Sequence, residues 1–418
     1  MTDTPSPSLT AGGGVPPDRL HALDAVRAFA LLLGVVLHAG MSMISGFPIW
    51  IIQDSQAQEW MGLTFFVPHL FRMSLFFLIA GYFARLAINK KGLGRFTLDR
   101  AKRIALPLVS LWLPIFALIA TVFVWGAIKA NGGEAPEGET PPLTVDTFPL
   151  THLWFLYLLV IFYAVCIPLT AIMRLLDRAD LTGRALDFIT RWLARTPLGL
   201  ILLAMPMTAW FVTAPQWWSF FGIPTPDTGL IPNTGALLAY GLAFAAGWAV
   251  HRSSDVVLAA WKRSWFINLG AAIALTVWLV LEIGLVPNFM PVAPGLDRLP
   301  VAAGYTLATW TWTFGLTGAA LVVFERPSRL WRYLADSSYW VYLMHLPLVM
   351  ALQVLVFDWP VPAAIKLAGI IAVALAILLM SYHYLVRNTW LGGWLNGRRQ
   401  SRAPAPPQQD SPAAAPAC

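Results

Sequence analysis

Three ionisable side chains, Asp24, Arg27 and His38, lie in the first apolar segment, LDAVRAFALLLGVVLHAG at residues 23–40. Arg27 and His38 are eleven residues apart, so on an α-helix they share one face to within about 20° and differ by about 16 Å of rise. Imidazole changes charge near neutral pH and can act as a base, whereas guanidinium binds anions. Asp24 can pair with Arg27 across one turn. The spacing predicts a cation at one end of this helix and a base near its middle.

A second apolar segment carries His69 and Arg72 on one helix face, and a later one, SSYWVYLMHLPLV, carries His345. An arginine at mid-membrane is costly, at least about 2.5 kcal/mol, and by default indicates a functional site. For a histidine such as His38, an interhelical hydrogen bond is the structural alternative. We predict that His38, His69, Arg72 and His345 are catalytic residues lining one hydrated passage.

A basic segment, RLAINKKGLGRFTLDRAKRIALPL, follows the second helix. Arg100 and Arg103 are three residues apart, with Lys102 between them, and paired guanidiniums present planar forks of donors that suit phosphate. The positive-inside rule or contact with anionic lipid explains the same charges, and Arg27 has the same alternative as an interfacial anchor.

His152 and Trp154 begin another apolar segment, PLTHLWFLYLLVIFY. Tryptophan offers a flat apolar face beside hydrogen-bonding groups, which favours a sugar platform, and an aromatic belt at the membrane interface is the alternative. Lys366, near a helix end, is expected to extend its ammonium group to the membrane surface. The two cysteines are too few for a disulfide framework or a metal cluster. We therefore expect no metal and no permanently bound cofactor.

The segments that position these residues are long and apolar. Hydrophobic residues make up 58% of the 418-residue chain and charged residues only 12%. Runs of about twenty apolar residues can each cross a bilayer as a helix. We predict an all-α polytopic membrane helix bundle with about ten transmembrane helices, at 25–46, 60–84, 104–126, 152–173, 197–214, 234–250, 264–285, 302–324, 337–357 and 363–386.

The basic residues are distributed unevenly over the loops of this bundle. Alternate connecting segments hold 23 Lys and Arg on one side of the membrane and 2 on the other. This asymmetry predicts that both termini are cytoplasmic and that the net charge of +7 reflects topology, not nucleic-acid binding. Residues 23–390 form the predicted transmembrane domain, and residues 1–22 and 391–418 are expected to be disordered cytoplasmic ends.

Taken together, these motifs resemble the acyltransferase 3 family of integral membrane O-acyltransferases. The resemblance rests on Arg27 and His38 in R-x10-H, on Arg100 and Arg103 in R-x-x-R, and on SYWVYLMHLP late in the chain. Within the family, HLFRMSLFFLIAGYF from His69 and THLWFL around His152 resemble the members that succinylate osmoregulated periplasmic glucans. The match extends in order from about residue 20 to residue 390.

The resemblance implies a multi-pass enzyme of the bacterial inner membrane that uses cytoplasmic acyl-CoA as donor substrate. The acyl group would be succinyl, from succinyl-CoA, and the acceptor a hydroxyl of a periplasmic glucan, with glucan-synthesis machinery as a partner. Acetyl transfer from acetyl-CoA to another surface polysaccharide or glycolipid is the alternative. The resemblance assigns acyl-CoA binding to Arg27, Arg100, Arg103 and Lys102. It assigns acceptor binding to His152, Trp154 and Asp24.

Two further alternatives remain open from the residues alone. His38 could act as a general base or carry the acyl group as a covalent acyl-histidine. A transporter of small anions or sugars would share the many spans and the basic surface, although proton-coupled carriers usually also use buried carboxylates. Here the ionisable residues predicted near mid-membrane are all His or Arg, which favours the enzyme.

Overall fold

A computed structural model describes residues 17–134, 142–326 and 328–396 of the chain. Within these ranges the secondary structure is helical, and β-structure is confined to isolated bridges. Nine of the described helices are long and apolar enough to cross a membrane. A tenth span results if the pair Leu181–Leu193 and Leu198–Thr213, bent by 105°, is counted as one. The predicted all-α polytopic bundle is confirmed, while the sides on which the termini lie stay a prediction.

Thirteen α-helices, α1 to α13 in chain order, form the described part of the bundle. Their bounds are Pro17–Gly40, Gly62–Lys91, Leu93–Arg100, Leu106–Ala130, Trp154–Leu176, Leu181–Leu193, Leu198–Thr213, Thr234–Arg252, Ser254–Ile283, Leu299–Val323, Arg329–Val356, Ala363–Ser381 and Trp390–Asn396.

The ends of the predicted transmembrane domain differ from the helix bounds. Helix α1 begins at Pro17, so part of the segment expected to be disordered is helical, while residues 1–16 lie outside the described residues. At the other end, α13 includes residues 391–396 of the predicted tail, and residues 397–418 again lie outside the described part.

Helices α3 and α4 are joined by a π-helical turn, Ala101–Ala105, which contains the middle of the basic segment. A π-turn alters the regular i→i−4 bonding and often marks a functional site. Two carbonyls of this turn accept side-chain hydrogen bonds: Tyr339 Oη donates to Arg103 O at 2.8 Å and Trp394 Nε1 donates to Lys102 O at 3.0 Å. The basic turn is thereby attached to α11 and α13.

Helix α6 presents its apolar side outward. Leu181, Phe188 and Ile189 are exposed, whereas Asp187 faces the protein and accepts a hydrogen bond from Arg252 Nε at 2.6 Å. A helix with one apolar face that is not covered by protein is typical of an element lying in the membrane interface. The sharp bend into α7 fits this arrangement.

Helices α2 and α8 approach closely because each places a glycine against the other. A Cβ on Gly81 would collide with the carbonyl of Phe244, and a Cβ on Gly247 would collide with the carbonyl of Leu78. Small residues at helix contacts let membrane helices pack backbone to backbone. This contact fixes α2, the helix that carries His69 and Arg72.

Lys366 is not at the membrane surface, and that expectation is wrong. Its Nζ lies 2.7 Å from Asp54 Oδ1, and both side chains are only 1% exposed. The ammonium group also donates to the carbonyls of Phe357 and Trp359, which follow the end of α11 at Val356. The pair ties the loop between α1 and α2 to α11 and α12. The lysine is buried because this carboxylate, distant in sequence, satisfies its charge.

Removing the ammonium group alone should destabilise the protein strongly. We expect Lys366→Met to lower the free energy of unfolding by about 3–5 kcal/mol, because Asp54 is left buried and charged without its partner. The double variant Asp54→Asn/Lys366→Met should recover part of the loss. Denaturant unfolding in detergent micelles measures both.

Lys262→Met is the control, because Lys262 pairs with Glu325 at an exposed site. Exposed pairs contribute about 0–1 kcal/mol. An equal effect of the two lysine substitutions would contradict the structural role of the buried pair.

Candidate active site

One cavity of about 860 Å³ extends along the length of the bundle. Its lining on α2 runs from Phe65 to Lys91, which is about 39 Å of helix and more than the ~30 Å hydrocarbon thickness of a bilayer. Five residues of α1 line the cavity: Arg27, Leu31, Gly34, Leu37 and His38. Apart from the adjacent pair Leu37 and His38, they are spaced by three or four, as one helix face requires. Helix α1 is therefore one continuous wall of a passage.

Helices α2 and α11 form the facing walls. Phe65, His69 and Arg72 line the cavity from α2, with the three- and four-residue spacing of one face. Tyr342 and His345 line it from α11. The four residues predicted to be catalytic, His38, His69, Arg72 and His345, thus face the same cavity from three helices.

Three imidazole rings follow one another in this cavity. His38 lies in the last turn of α1, so the prediction that it lies near the middle of its helix is wrong. The ring centroids of His38 and His345 are 5.2 Å apart, and those of His345 and His152 are 5.3 Å apart. His345 Nδ1 donates to Tyr342 O at 2.8 Å, and His152 Nε2 donates to Leu343 O at 3.2 Å. A carbonyl only accepts, so a neutral ring here carries its hydrogen on the bonded nitrogen. His345 Nε2 and His152 Nδ1 then hold free lone pairs, and both are buried without a partner.

The ring of His38 is held between Trp50 and His345. Trp50 stacks against it with centroids 6.1 Å apart and planes at 19°. Gln353 connects these groups: its Oε1 accepts from Trp50 Nε1 at 2.9 Å, and its Nε2 donates to the carbonyls of His38 at 2.8 Å and Ala39 at 3.0 Å. His38 Nδ1 is buried and unpartnered beside His345, so Nε2 is the nitrogen open to the cavity.

His69 lies on the same passage but is bonded differently. Its Nε2 donates to Ile223 O at 3.1 Å, and its ring stacks on Phe65 with centroids 4.8 Å apart. The bond to Ile223 ties His69 to the loop before α8, while Phe65 precedes it by one turn on α2. His69 is thereby held on the side of the cavity away from the basic residues. This position suits a group that contacts an incoming acceptor better than one that contacts the donor.

Arg72 forms no hydrogen bond or ion pair with any residue that the structure describes. Its Nε is buried without a partner, and its guanidinium faces the cavity beside Gly34. An unpaired buried cation is strongly unfavourable unless a ligand supplies the counter-charge. The cavity therefore contains a site for an anion or for a developing negative charge, close to His38.

The basic mouth of the cavity consists of Arg27, Lys90, Lys91, Arg100 and Arg103. Asp99 gathers three of these cations: its carboxylate lies 2.7 Å from Arg100 Nη2, 3.0 Å from Arg103 Nη2 and 3.5 Å from Lys91 Nζ. Arg27 Nη2 donates to Ala335 O at 3.1 Å. Asp24, which lies 3.8 Å from Arg27, and Asp336, which also lines the cavity, bring the carboxylates near this mouth to three against five cations. The mouth keeps a net positive charge and is suited to a polyanion.

Comparison with known proteins identifies the fold that carries this cavity. A family model described as an acyltransferase domain, acyltransferase 3, matches residues 20–381. The chain belongs to the acyltransferase 3 family. The matched range includes all the cavity-lining residues from α1 to α11.

The curated relatives of this acyltransferase are distant. Glucans biosynthesis protein C of Escherichia coli K12 is 27% identical over 206 residues, which is 48% of this chain and 52% of that protein. The protein of the same name from Shigella dysenteriae serotype 1 matches to the same extent. The chain thus spans about half the length of the curated relatives it matches. No solved structure is significantly similar to it.

Two residues that we predicted to bind substrate in this acyltransferase lie deeper than expected. His152 is 7% exposed and belongs to the histidine cluster, and Trp154 is 6% exposed and stacks on Tyr240 with centroids 5.5 Å apart. Both line the cavity, so they do not form a platform on the outer surface. Trp154 is covered because its ring packs on Tyr240 of α8, which is far away in sequence, and its binding of substrate stays a prediction.

Asp24 and Lys102 do not line the cavity. Asp24 pairs with Arg27 at 3.8 Å, as the spacing predicted, with both side chains about two-fifths exposed. The Lys102 side chain is exposed on the other side of the π-turn. Of the basic segment, the structure therefore brings Arg100 and Arg103 into the site and leaves Lys102 out.

The opposite mouth of the cavity was missed by sequence reasoning. The loop between α7 and α8 contributes Phe221, Ile223, Thr225 and Asp227 to it. The surrounding protein raises the pKa of the Asp227 carboxyl above its ordinary value, because desolvation disfavours the charge. This loop has no periodic pattern, so its approach to the cavity could not be read from the sequence. Hydroxyl and carboxyl groups beside aromatic rings are suited to binding a sugar.

Proposed function

We propose that this acyltransferase moves an acyl group from cytoplasmic acyl-CoA to a hydroxyl of a periplasmic glucan across the bacterial inner membrane. The observation that carries the proposal is the single cavity that joins a polycationic mouth to a histidine cluster and continues to an opposite mouth. A donor and an acceptor can then meet at His38 from two sides of the membrane.

The donor enters at the basic mouth. Coenzyme A is a phosphorylated head on a long flexible arm, and Arg27, Arg100 and Arg103 bind its phosphates. The rise of about 16 Å from Arg27 to His38 along α1 is a distance that such an arm spans. The thioester carbonyl then lies beside His38. Arg72 lies against Gly34, which precedes His38 by one turn of α1.

The transfer step uses His38 as general base. Nε2 takes the proton of the acceptor hydroxyl while the oxygen attacks the thioester carbon and forms a tetrahedral oxyanion. Arg72 stabilises that negative charge. The C–S bond then breaks, and the leaving thiolate takes the proton back from His38 Nε2. His345, whose ring centroid lies 5.2 Å from that of His38, packs against the His38 ring and limits its orientation.

We propose succinyl as the acyl group, supported by the distant similarity to glucans biosynthesis protein C and by the cationic cavity. Purified protein in lipid nanodiscs is incubated with succinyl-CoA or acetyl-CoA labelled in the acyl group, together with a periplasmic glucan. We expect covalent label in the glucan from succinyl-CoA, and mass spectrometry gives its position. Label from acetyl-CoA alone would overturn the succinyl assignment. The absence of label from both donors would overturn the proposed acyl transfer to a glucan.

The basic mouth predicts a selective effect on donor affinity. Replacing both Arg100 and Arg103 with Gln should raise the KM for acyl-CoA about 10- to 100-fold. Each charge-assisted hydrogen bond contributes about 1.5–3 kcal/mol, and the remaining cations of the mouth still supply part of the binding free energy. The kcat should change little, since the two residues lie far from the thioester. Initial rates at varied acyl-CoA concentration measure both parameters.

Arg95→Gln is the matched control for this pair, because Arg95 is an exposed cation on the same α3 helix and does not line the cavity. Its KM should equal that of the wild type. If the double variant also kept the wild-type KM, Arg100 and Arg103 would serve only the membrane topology.

A further inference from the structure

Gly34 lies within the last two turns of α1, on the face that lines the cavity. It is four residues before His38 and seven after Arg27, and its backbone is helical, with none of the positive φ values found at other glycines. The backbone therefore does not require glycine here. Glycine inside a helix is less favourable than alanine by about 1 kcal/mol. A group that occupies the position of the missing side chain would explain why glycine occurs here.

That contact is with Arg72. A Cβ on Gly34 would lie 3.4 Å from Arg72 Cζ and closer still to Arg72 Nη1. Apart from the neighbouring backbone of α1, no other described heavy atom lies within 4 Å of that position. The guanidinium of Arg72 occupies the space that an alanine methyl group would fill.

Packing, and not bonding, determines where this guanidinium lies. Arg72 has no hydrogen-bond or ion-pair partner among the described residues, and its Nε is buried and unsatisfied. A methyl group at position 34 would therefore move the guanidinium without first breaking a bond. The movement would be away from α1, and so away from His38 on the same helix face.

We propose that Gly34 is a positioning residue, which seats the Arg72 guanidinium against α1 about 6 Å of helix rise from His38. This inference rests on the proposed function, in which Arg72 stabilises the oxyanion that forms beside His38. Glycine lowers the helix propensity at this position, but its missing side chain lets the Arg72 guanidinium approach the reacting carbonyl. A larger residue would keep the guanidinium away.

The test compares Gly34→Ala with Gly270→Ala. Gly270 is also inside a helix, α9, but a Cβ there meets nothing within 4 Å. We expect Gly34→Ala to lower kcat about 10²-fold, the effect of losing one oxyanion donor. Its KM for acyl-CoA should stay within about twofold of wild type, because the basic mouth is untouched. Since alanine favours the helix, thermal unfolding of both variants should occur at or above the wild-type temperature.

A double-mutant cycle separates positioning from a general structural effect. If Gly34 acts through Arg72, the variant Gly34→Ala/Arg72→Gln should be no slower than Arg72→Gln alone. A multiplicative loss in the double variant would overturn the proposal, and so would a Gly34→Ala enzyme as fast as Gly270→Ala. Wild-type protein that transfers no label would instead overturn the proposed function, so the two failures are distinguishable.

Discussion

His38→Ala is expected to lower kcat for acyl transfer by at least about 10²–10⁴-fold, the contribution typical of a positioned general base. The ring stacks on Trp50 on one side, lies next to His345 on the other, and faces the cavity. Loss of the imidazole should leave the fold intact. Gln353, which bonds to α1 beside this ring, donates to the main-chain carbonyls of His38 and Ala39 and not to the imidazole.

The measurement is transfer of label from succinyl-CoA to glucan, with membrane insertion and monodispersity in detergent checked in parallel. His383→Ala is the control, since His383 is exposed and lies outside the cavity. Persistent transfer by the His38→Ala protein would remove His38 from the mechanism. Intact-protein mass spectrometry after rapid quenching decides between the base and the acyl-histidine: a mass increase of one acyl group on the wild type, absent from His38→Ala, would favour the covalent route.

Arg72→Gln is expected to change activity and stability in opposite directions. The kcat should fall about 10²–10³-fold, because the guanidinium proposed to stabilise the oxyanion is lost. The free energy of unfolding should stay equal or rise, because a buried cation without an anionic partner among the described residues is replaced by a neutral group. A residue that lowers stability while it serves catalysis is a recognised consequence of selection for activity.

Arg85→Gln is the same-helix control for Arg72. Arg85 lies near the end of α2, over the ring of Trp248 at 5.4 Å, and does not line the cavity. Its removal should leave kcat within about threefold of wild type. An Arg72→Gln enzyme with normal kcat, or one that unfolds far more easily than wild type, would contradict the assignment of Arg72 to the transition state.

Local patterns in the sequence were sufficient for the class of the protein and for much of the site. Apolar runs of bilayer length predict membrane helices without any knowledge of their packing, because lipid requires each span to satisfy its own backbone. Helical spacing also placed Arg27 and His38, and His69 and Arg72, correctly on shared faces. Gly34 was visible in the same pattern, one turn before His38, but its importance depends on a side chain from another helix.

The sequence by itself determined that this is an all-helical membrane protein with an arginine and several histidines at depth, because those properties depend on residues close together in the chain. Only the tertiary structure decided that Lys366 meets Asp54, that His152 joins His38 and His345, that Lys102 turns away from the cavity, and that Arg72 rests on Gly34. Each of these outcomes depends on which helix faces come together. In a bilayer that choice is made by close packing and by the pairing of buried polar groups, which join residues tens to hundreds of positions apart.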